Sequence, residues 1–421
     1  MIFDIKEYGA VGNGVAWDAP AIQQALDAAC AAGGGRVIVP PGTYLAANIK
    51  LRDNVTLYLE NGSRIKSPES IDPYEADESV NPCSQHHYLI SGRNVKNAVI
   101  DGDGVIDGSG NAFWLEEFCN ATARRPKNPR PTMIYCIDCR NLKIRNIRIE
   151  NASVYTVWLL GCQEVLIDGV VIRNDREGPN TDALDIDCCS NVRICNCDIV
   201  AGDDCIALKS DIARLGREAV CENVVVSNCV FSSSTCAIRI GYEGDGVIRD
   251  CIFSNLTCYD CAKVIAMQSL AAGDVKYTVI KKGTLIENMQ FANFTLRNVD
   301  RAFFIRAGND LQESDYAAAV RNISITNISG TVKKESFIGG TWDYFVDGLL
   351  MRDINLQFIG AFGAVPGEFP GIWGHSTFPP VPFALRFAKN VLIENMKWDF
   401  AGRAIQTEMV ENCSVNGTLI N

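Results

Sequence analysis

The sequence predicts an all-β protein in which short parallel strands wind into a solenoid behind a small helical cap. Two observations point there. From Asn54 onward one theme recurs: a polar residue, an apolar alternation, then a turn. It appears in NVTLYLENGS, CRNLKIRNIRIENA, CQEVLIDGVVIRND, CENVVVSNCVF and VRNISITNIS, spaced roughly 22 to 40 residues apart, as coils joined by loops of varying length require. Ahead of the repeat lies a segment of different character, with the period of a helix. A coil buries its apolar side chains only by stacking on the next, so residues 1–421 are expected to form one domain.

The cap spans 1–50. Within it, residues 3–45 read as strand, Gly-rich turn, amphipathic helix and strand. Ile22, Ala25, Leu26 and Ala29 share one helical face, and Gly33 to Gly35 stop the helix. The turn GAVGNG lacks the spacing of a phosphate-binding loop. The coils run from 54 to 421 and are broken by two long excursions, 107–132 and 360–388, rich in Pro, Gly and aromatic residues. Loops of that length in a compact domain are usually functional. His86, His87 and His375 fall in loops, where solvated histidines outnumber catalytic ones. Triplets such as Asn322-Ile-Ser and Asn327-Ile-Ser read as coil turns rather than glycosylation sites.

The stretch NTDALDIDCCSNVRICNCDIVAGDDCIALKS, from Asn180 to Ser210, carries the chemistry. Asp182 lies 21 residues before Asp203, which is followed by Asp204. Each acidic segment leads into a strand-like alternation, Leu184/Ile186 and Ile206/Leu208. As successive coils, the two segments bring the acids within one strand spacing, roughly 4.8 Å. Carboxylates that close cannot all ionise freely. A split set supplies both a proton donor and a base, which glycoside hydrolysis needs. The bland alternative is a row of Asp residues capping turns. With Ile and Leu inward, the outward positions of successive strands align as Trp158/Leu160, Asp185/Asp187, Ala207/Lys209, Arg239/Gly241, Ala266/Gln268 and Phe304/Arg306. This column is the expected cleft floor.

The NTD and GDD segments resemble those of glycoside hydrolase family 28, the polygalacturonases and rhamnogalacturonases. Residues 3–45 resemble the cap of pectin-active and tailspike β-helices, and the excursions 107–132 and 360–388 resemble family loops that border the substrate cleft. The resemblance implies a single-stranded right-handed parallel β-helix with an N-terminal helical cap. It also implies Asp203 as general acid, Asp182 with Asp204 as the pair that activates water, and inversion at the anomeric carbon. Several family features are altered. NTDG is NTDA here. Thr235 stands where the GHG histidine belongs, and Ala266-Met267-Gln268 replaces the RIK triplet that grips a uronate carboxylate. Trp158 replaces the histidine of the WTIH element. Ordinary endo-polygalacturonase action is therefore not expected. Arg239 and Arg306, each one strand from the altered triplet, are candidates for a displaced carboxylate grip. The alternative pairs them with Glu243 or Asp310. Lys209 belongs to the family's IAxKS string, and Trp158 is a candidate stacking platform for a sugar.

Composition narrows the partners. A net charge of -11 argues against nucleic acid and anionic membranes. No apolar run approaches the ~20 residues of a membrane helix. Met1 leads straight into IFDIKEYGAVGNG, which reads as structure rather than a signal peptide. The 18 cysteines sit largely in strand-like segments and fit buried free thiols, so the expected compartment is the cytoplasm. A zinc site from Cys136/Cys139 with Cys258/Cys261 is disfavoured by their separation in sequence. The leading reading is an inverting glycosidase, without cofactor or metal, acting in exo mode on pectin-derived or related oligosaccharides. A lyase, epimerase or fructotransferase on the same fold is the second, and a noncatalytic carbohydrate-binding β-helix the third.

Overall fold

The structure is a computed structural model describing residues 1–77, 86–270, 283–308, 319–341, 344–360, 381–399 and 405–420. It is a right-handed parallel β-helix with an N-terminal cap, and the chain divides into two compact units, Met1–Cys205 and Ile206–Asn421.

The first unit opens with the cap. Helix α1 (Ala19–Ala31) buries Ile22, Ala25, Leu26 and Ala29. It ends where Gly33 and Gly34 turn to positive φ and their amides close on Cys30 and Ala29. Buried Asp18 ties the glycine-rich turn to the helix start by accepting the Val11 and Gly12 amides at 2.7 and 3.1 Å.

Beyond the cap, each coil contributes three short strands, and each strand pairs in parallel with its counterpart one coil later. One column is β1 (Tyr88–Arg93), β2 (Thr132–Ile137), β3 (Val157–Leu160) and β4 (Leu184–Asp187). Register stacks like on like inside the coil. Ile90, Ile134, Val157 and Leu184 form one interior row, Ile100, Ile144, Ile167 and Ile194 a second, and Ile106, Ile149, Ile172 and Ile199 a third. Every member is fully buried. The alternation read from the sequence is thus the inward half of each strand.

In the second unit the equivalent column is β5 (Ile206–Ser210), β6 (Cys236–Gly244), β7 (Lys263–Ser269) and β8 (Arg301–Ala307). The other strands merge into long runs, among them Val220–Ser233, Val247–Tyr259, Leu285–Val299 and Ala319–Val332. They bend at asparagines in the left-handed conformation: Asn228, Asn255, Asn293 and Asn327 have φ of 54 to 63°. Their side chains link coil to coil, Asn255 to Asn228, Asn293 to Asn255 and Asn327 to Asn293, at 3.2, 3.0 and 2.8 Å. Asn322 joins Asn288 likewise. Both Asn-x-Ser triplets therefore sit at coil corners. Of the two excursions, 107–132 is described in full, whereas 361–380 lies outside the described residues, as do His375 and Asp310.

Candidate active site

Asp182 and Asp204 take the same position in successive coils. The Thr156 amide donates to the Asp182 carbonyl at 2.9 Å, and the Ala183 amide to the Asp204 carbonyl at 2.8 Å. Asp203 precedes Asp204 directly. One carboxylate oxygen from each of the three lies within 4.8 Å of the other two. Asp182 and Asp204 are buried, and Asp203 is the more open. Three oxygens at this spacing suit a shared proton or a hard divalent cation. That span runs between one oxygen of each group. A water between two carboxyls in the usual inverting scheme needs about 6.5–9.5 Å, whereas about 5–5.5 Å marks a retaining pair.

Local chemistry explains why the chain turns here. Thr181 Oγ1 donates to the Gly178 carbonyl at 3.0 Å and accepts the Gly202 amide at 3.1 Å, tying the two acidic segments together. Gly202 admits no side chain. A Cβ there would meet the carbonyl oxygens of Asp175 and Gly178, and Thr181 Oγ1, at 2.5 Å. Asn180 turns the backbone at φ 56°.

Two supporting residues escaped the sequence reading. Arg130, at the end of the 107–132 excursion, reaches under the turn before Asp182. It donates to the carbonyls of Pro179 and Ser153 at 2.5 and 2.9 Å, and to the side-chain oxygens of Asn180 and Asn128 at 3.0 Å. Burial pushes its guanidinium down to about 10, opposed by neighbouring Tyr155, Asp182 and Asp203. It therefore stays charged at neutral pH, beside the acids. Asn174, also buried, donates to Thr156 Oγ1 at 2.7 Å and to the Thr181 carbonyl at 3.2 Å. Neither stands in the acidic segments, and an Arg in a Pro-rich loop gives no periodic signal.

The outward column has the expected register, Trp158 beside Asp185 and Leu160 beside Asp187. It is not an open floor. Asp185 and Asp187 are fully buried, and Trp158 is 1% exposed. The Trp158 ring is 4.9 Å from Tyr135 and edge-on to Tyr155 at 5.5 Å. The stacking role expected of Trp158 is thus corrected: a ring buried against Tyr135 and Tyr155 offers no open face to a sugar. His87 is half-buried and edge-on to Tyr74, and burial followed by the charge of His86 lowers its pKa.

In the second unit, Arg239 lies beside Ala266, Gly241 beside Gln268, and Gln268 beside Arg306. Arg239 Nη1 donates to Gln268 Oε1, with its guanidinium 5.5 Å from the Tyr242 ring. Glu243 pairs with Lys209 at 2.5 Å, not with Arg239. Arg306 is buried, and its Nε donates to the Gly308 carbonyl at 3.2 Å. Both arginines are engaged, so a substrate carboxylate would have to displace protein acceptors. Thr235 is held locally, its amide donating to Ser233 Oγ at 2.8 Å.

The family described as glycosyl hydrolases family 28 matches residues 34–361. A polygalacturonase of Malus domestica is 30% identical over 364 residues, 84% of this chain and 74% of its own length. A probable polygalacturonase of Arabidopsis thaliana is 27% identical over 322 residues, 69% of this chain. The chain spans 66%, 62% and 62% of the lengths of that protein and two further plant relatives. In fold, the chain is similar to the family 28 exopolygalacturonase of Yersinia enterocolitica, with a TM-score of 0.79 at 18% identity, covering all of this chain and 79% of that one.

Proposed function

Because this chain belongs to glycosyl hydrolase family 28, we propose that it hydrolyses glycosidic bonds in pectin-derived or related oligosaccharides, in exo mode and with inversion. The observation that carries this reading is the set of three acids within 4.8 Å, one of them open to the surface. Asp203, the accessible member, gives its proton to the leaving glycosidic oxygen as the bond to the anomeric carbon breaks. Asp182 and Asp204 hold the attacking water between them and take its proton. Arg130 fixes the turn that aims Asp182, and its charge favours the ionised base.

Two features support a departure from ordinary endo-polygalacturonase action. The triplet at 266–268 carries no cation, and Thr235 has no imidazole to offer. The exo reading is supported by the 107–132 excursion. Its two strands, Trp114–Phe118 and Arg124–Pro126, pair antiparallel. Arg124 meets Glu177 at 2.6 Å, and Trp114 Nε1 donates to the Ser153 carbonyl at 3.0 Å. The loop thereby rests against the turn that carries Asp182.

The close carboxylates favour one second reading, a retaining double displacement with Asp182 or Asp204 as nucleophile. A lyase is less supported, since Arg130, the cation beside the acids, directs its N–H groups to protein acceptors. The test is a screen of pectic, rhamnogalacturonan and fructan oligosaccharides with the product anomer followed by NMR. Inverted product released stepwise from one chain end is expected. Retained product would replace inversion with the second reading, and no reducing sugar from any glycan would overturn the hydrolase.

A further inference from the structure

A cavity of about 370 Å³ opens in the first unit, lined by residues of β1, β2 and the segments near Lys50 and Glu75. It lies on the strand column of the acids. The Thr132 amide donates to the His87 carbonyl, Met133 to Tyr155, and Thr156 to Asp182. Tyr88, Thr132, Tyr155 and Asp182 thus hold one position in four successive coils, and Tyr88 lines the cavity. Three strand spacings separate it from Asp182, roughly 14 Å. A run of rings bridges the interval: Tyr88 stacks on Tyr135 at 4.5 Å, Tyr135 meets Trp158 at 4.9 Å, and Trp158 meets Tyr155 at 5.5 Å.

The lining has the chemistry of a sugar site. Leu51, Val95 and the two tyrosines give an apolar side, and charged groups crowd the other. Lys50, Arg52 and Arg93 outnumber Glu75 and Asp77 there, in a chain whose net charge is -11. Arg93 reaches Asp77 at 3.0 Å and Lys50 reaches Glu75 at 3.5 Å, the first pair partly and the second largely open to solvent. Such pairs hold weakly and can exchange a protein carboxylate for that of a ligand. Arg52 pairs outside the lining, with Asp27 at 2.6 Å. The wall is built in advance: Asn48 accepts the Glu75 amide at 3.0 Å and donates to the Pro73 carbonyl at 2.9 Å.

We propose that this cavity binds an acidic sugar unit, through Arg93 and Lys50, on the same oligosaccharide chain that the acids cut. The proposal rests on the hydrolase reading for the position of the cut. It places chain-length and charge selection three coils from the chemistry, where the altered triplet at 266–268 plays no part.

Calorimetric titration of an Asp203→Asn protein with oligogalacturonates of increasing length, and with their carboxyl-reduced neutral counterparts, tests it. Affinity should step up at the length that reaches from the acids to the cavity. Adding Arg93→Ala should remove that step, about a tenfold loss, and leave short or neutral oligomers unchanged. If Arg93→Ala fails to fold, Lys50→Ala, a half-exposed side chain, carries the same expectation. Affinity independent of length, or equal with and without the substitution, overturns the cavity. A wild-type protein that cleaves without the length step keeps the hydrolase and loses the cavity. One that shows the step but cleaves no glycan keeps the cavity and loses the hydrolase.

Discussion

At the scale of single residues, the acids and their supports divide the work. Asp203 is the most open of the three, and proton donation is its proposed role. Asp203→Asn nearly preserves the shape of the side chain, so the fold should hold while turnover falls ~10²-fold or more, the range for losing general acid catalysis. Steady-state kinetics on the best substrate from the glycan screen measure this, and near-normal turnover would remove Asp203 from that role. One charge network is structural. Arg64 bridges Asp107 and Glu150 at 2.6 and 2.8 Å, and Arg148 meets Glu150 at 2.5 Å. Burial raises the Glu150 carboxyl, but hydrogen bonds from Arg148 and Arg64 outweigh it and hold the pKa below its usual value. A depressed folded-state pKa stabilises above the unfolded value, near ~4.3, and that stability is lost as pH falls through the folded value. Glu150→Gln should therefore cost about 1 kcal/mol at pH 7. Its thermal midpoint should converge on that of the wild type near pH 3. A gap of equal size at both pH values would show that the loss is not electrostatic.

At the scale of elements, the asparagine corners join one coil to the next. Asn293 has φ 63°, donates to Asn255 and accepts from Asn327. A glycine there keeps the backbone free and loses only the two bonds, whereas alanine also bears the left-handed strain, about 1–2 kcal/mol. Thermal unfolding should rank the wild type above Asn293→Gly, and Asn293→Gly above Asn293→Ala. An alanine variant as stable as the glycine variant would show that the corner tolerates a Cβ without strain.

At the scale of the whole molecule, the interior is rich in thiols. Every described cysteine is free, most are buried, and Cys119 is exposed. In one cluster, hydrogen bonds from Cys136 and Cys162 lower the pKa of Cys139. Cys136 is raised chiefly by that same bond, and Cys162 by burial. Among the described residues, the group of three or more metal-type ligands is the acid trio. Thiol titration of denatured protein without reductant should approach 18 per chain. In the native state Cys119 should react before the buried thiols, which burial withholds from reagent. A denatured count near zero would mean a disulfide framework and overturn placement in a reducing compartment.

What the sequence alone determined is what repeats or clusters along the chain. The Ile and Leu of each coil recur because strand side chains alternate with period two, and every coil must bury the same face. The α1 face at Ile22, Ala25, Leu26 and Ala29 follows from helical period, and the register of Trp158 with Asp185 follows from the repeat. The NTD and GDD segments marked the acids because their residues are neighbours in sequence. Tertiary structure decided what depends on loops and rotamers meeting across tens of residues. Arg130 reaches the Asp182 turn from 50 residues before Asn180, and the rings of Tyr135 and Tyr155 close over Trp158. Glu243 goes to Lys209, leaving Arg239 to Gln268, and the three carboxylates bring one oxygen each within 4.8 Å of the others. A periodic pattern states which face a side chain leaves from. Which partner it meets depends on side-chain torsions and on how the loops close, and those are settled only when the coils are stacked.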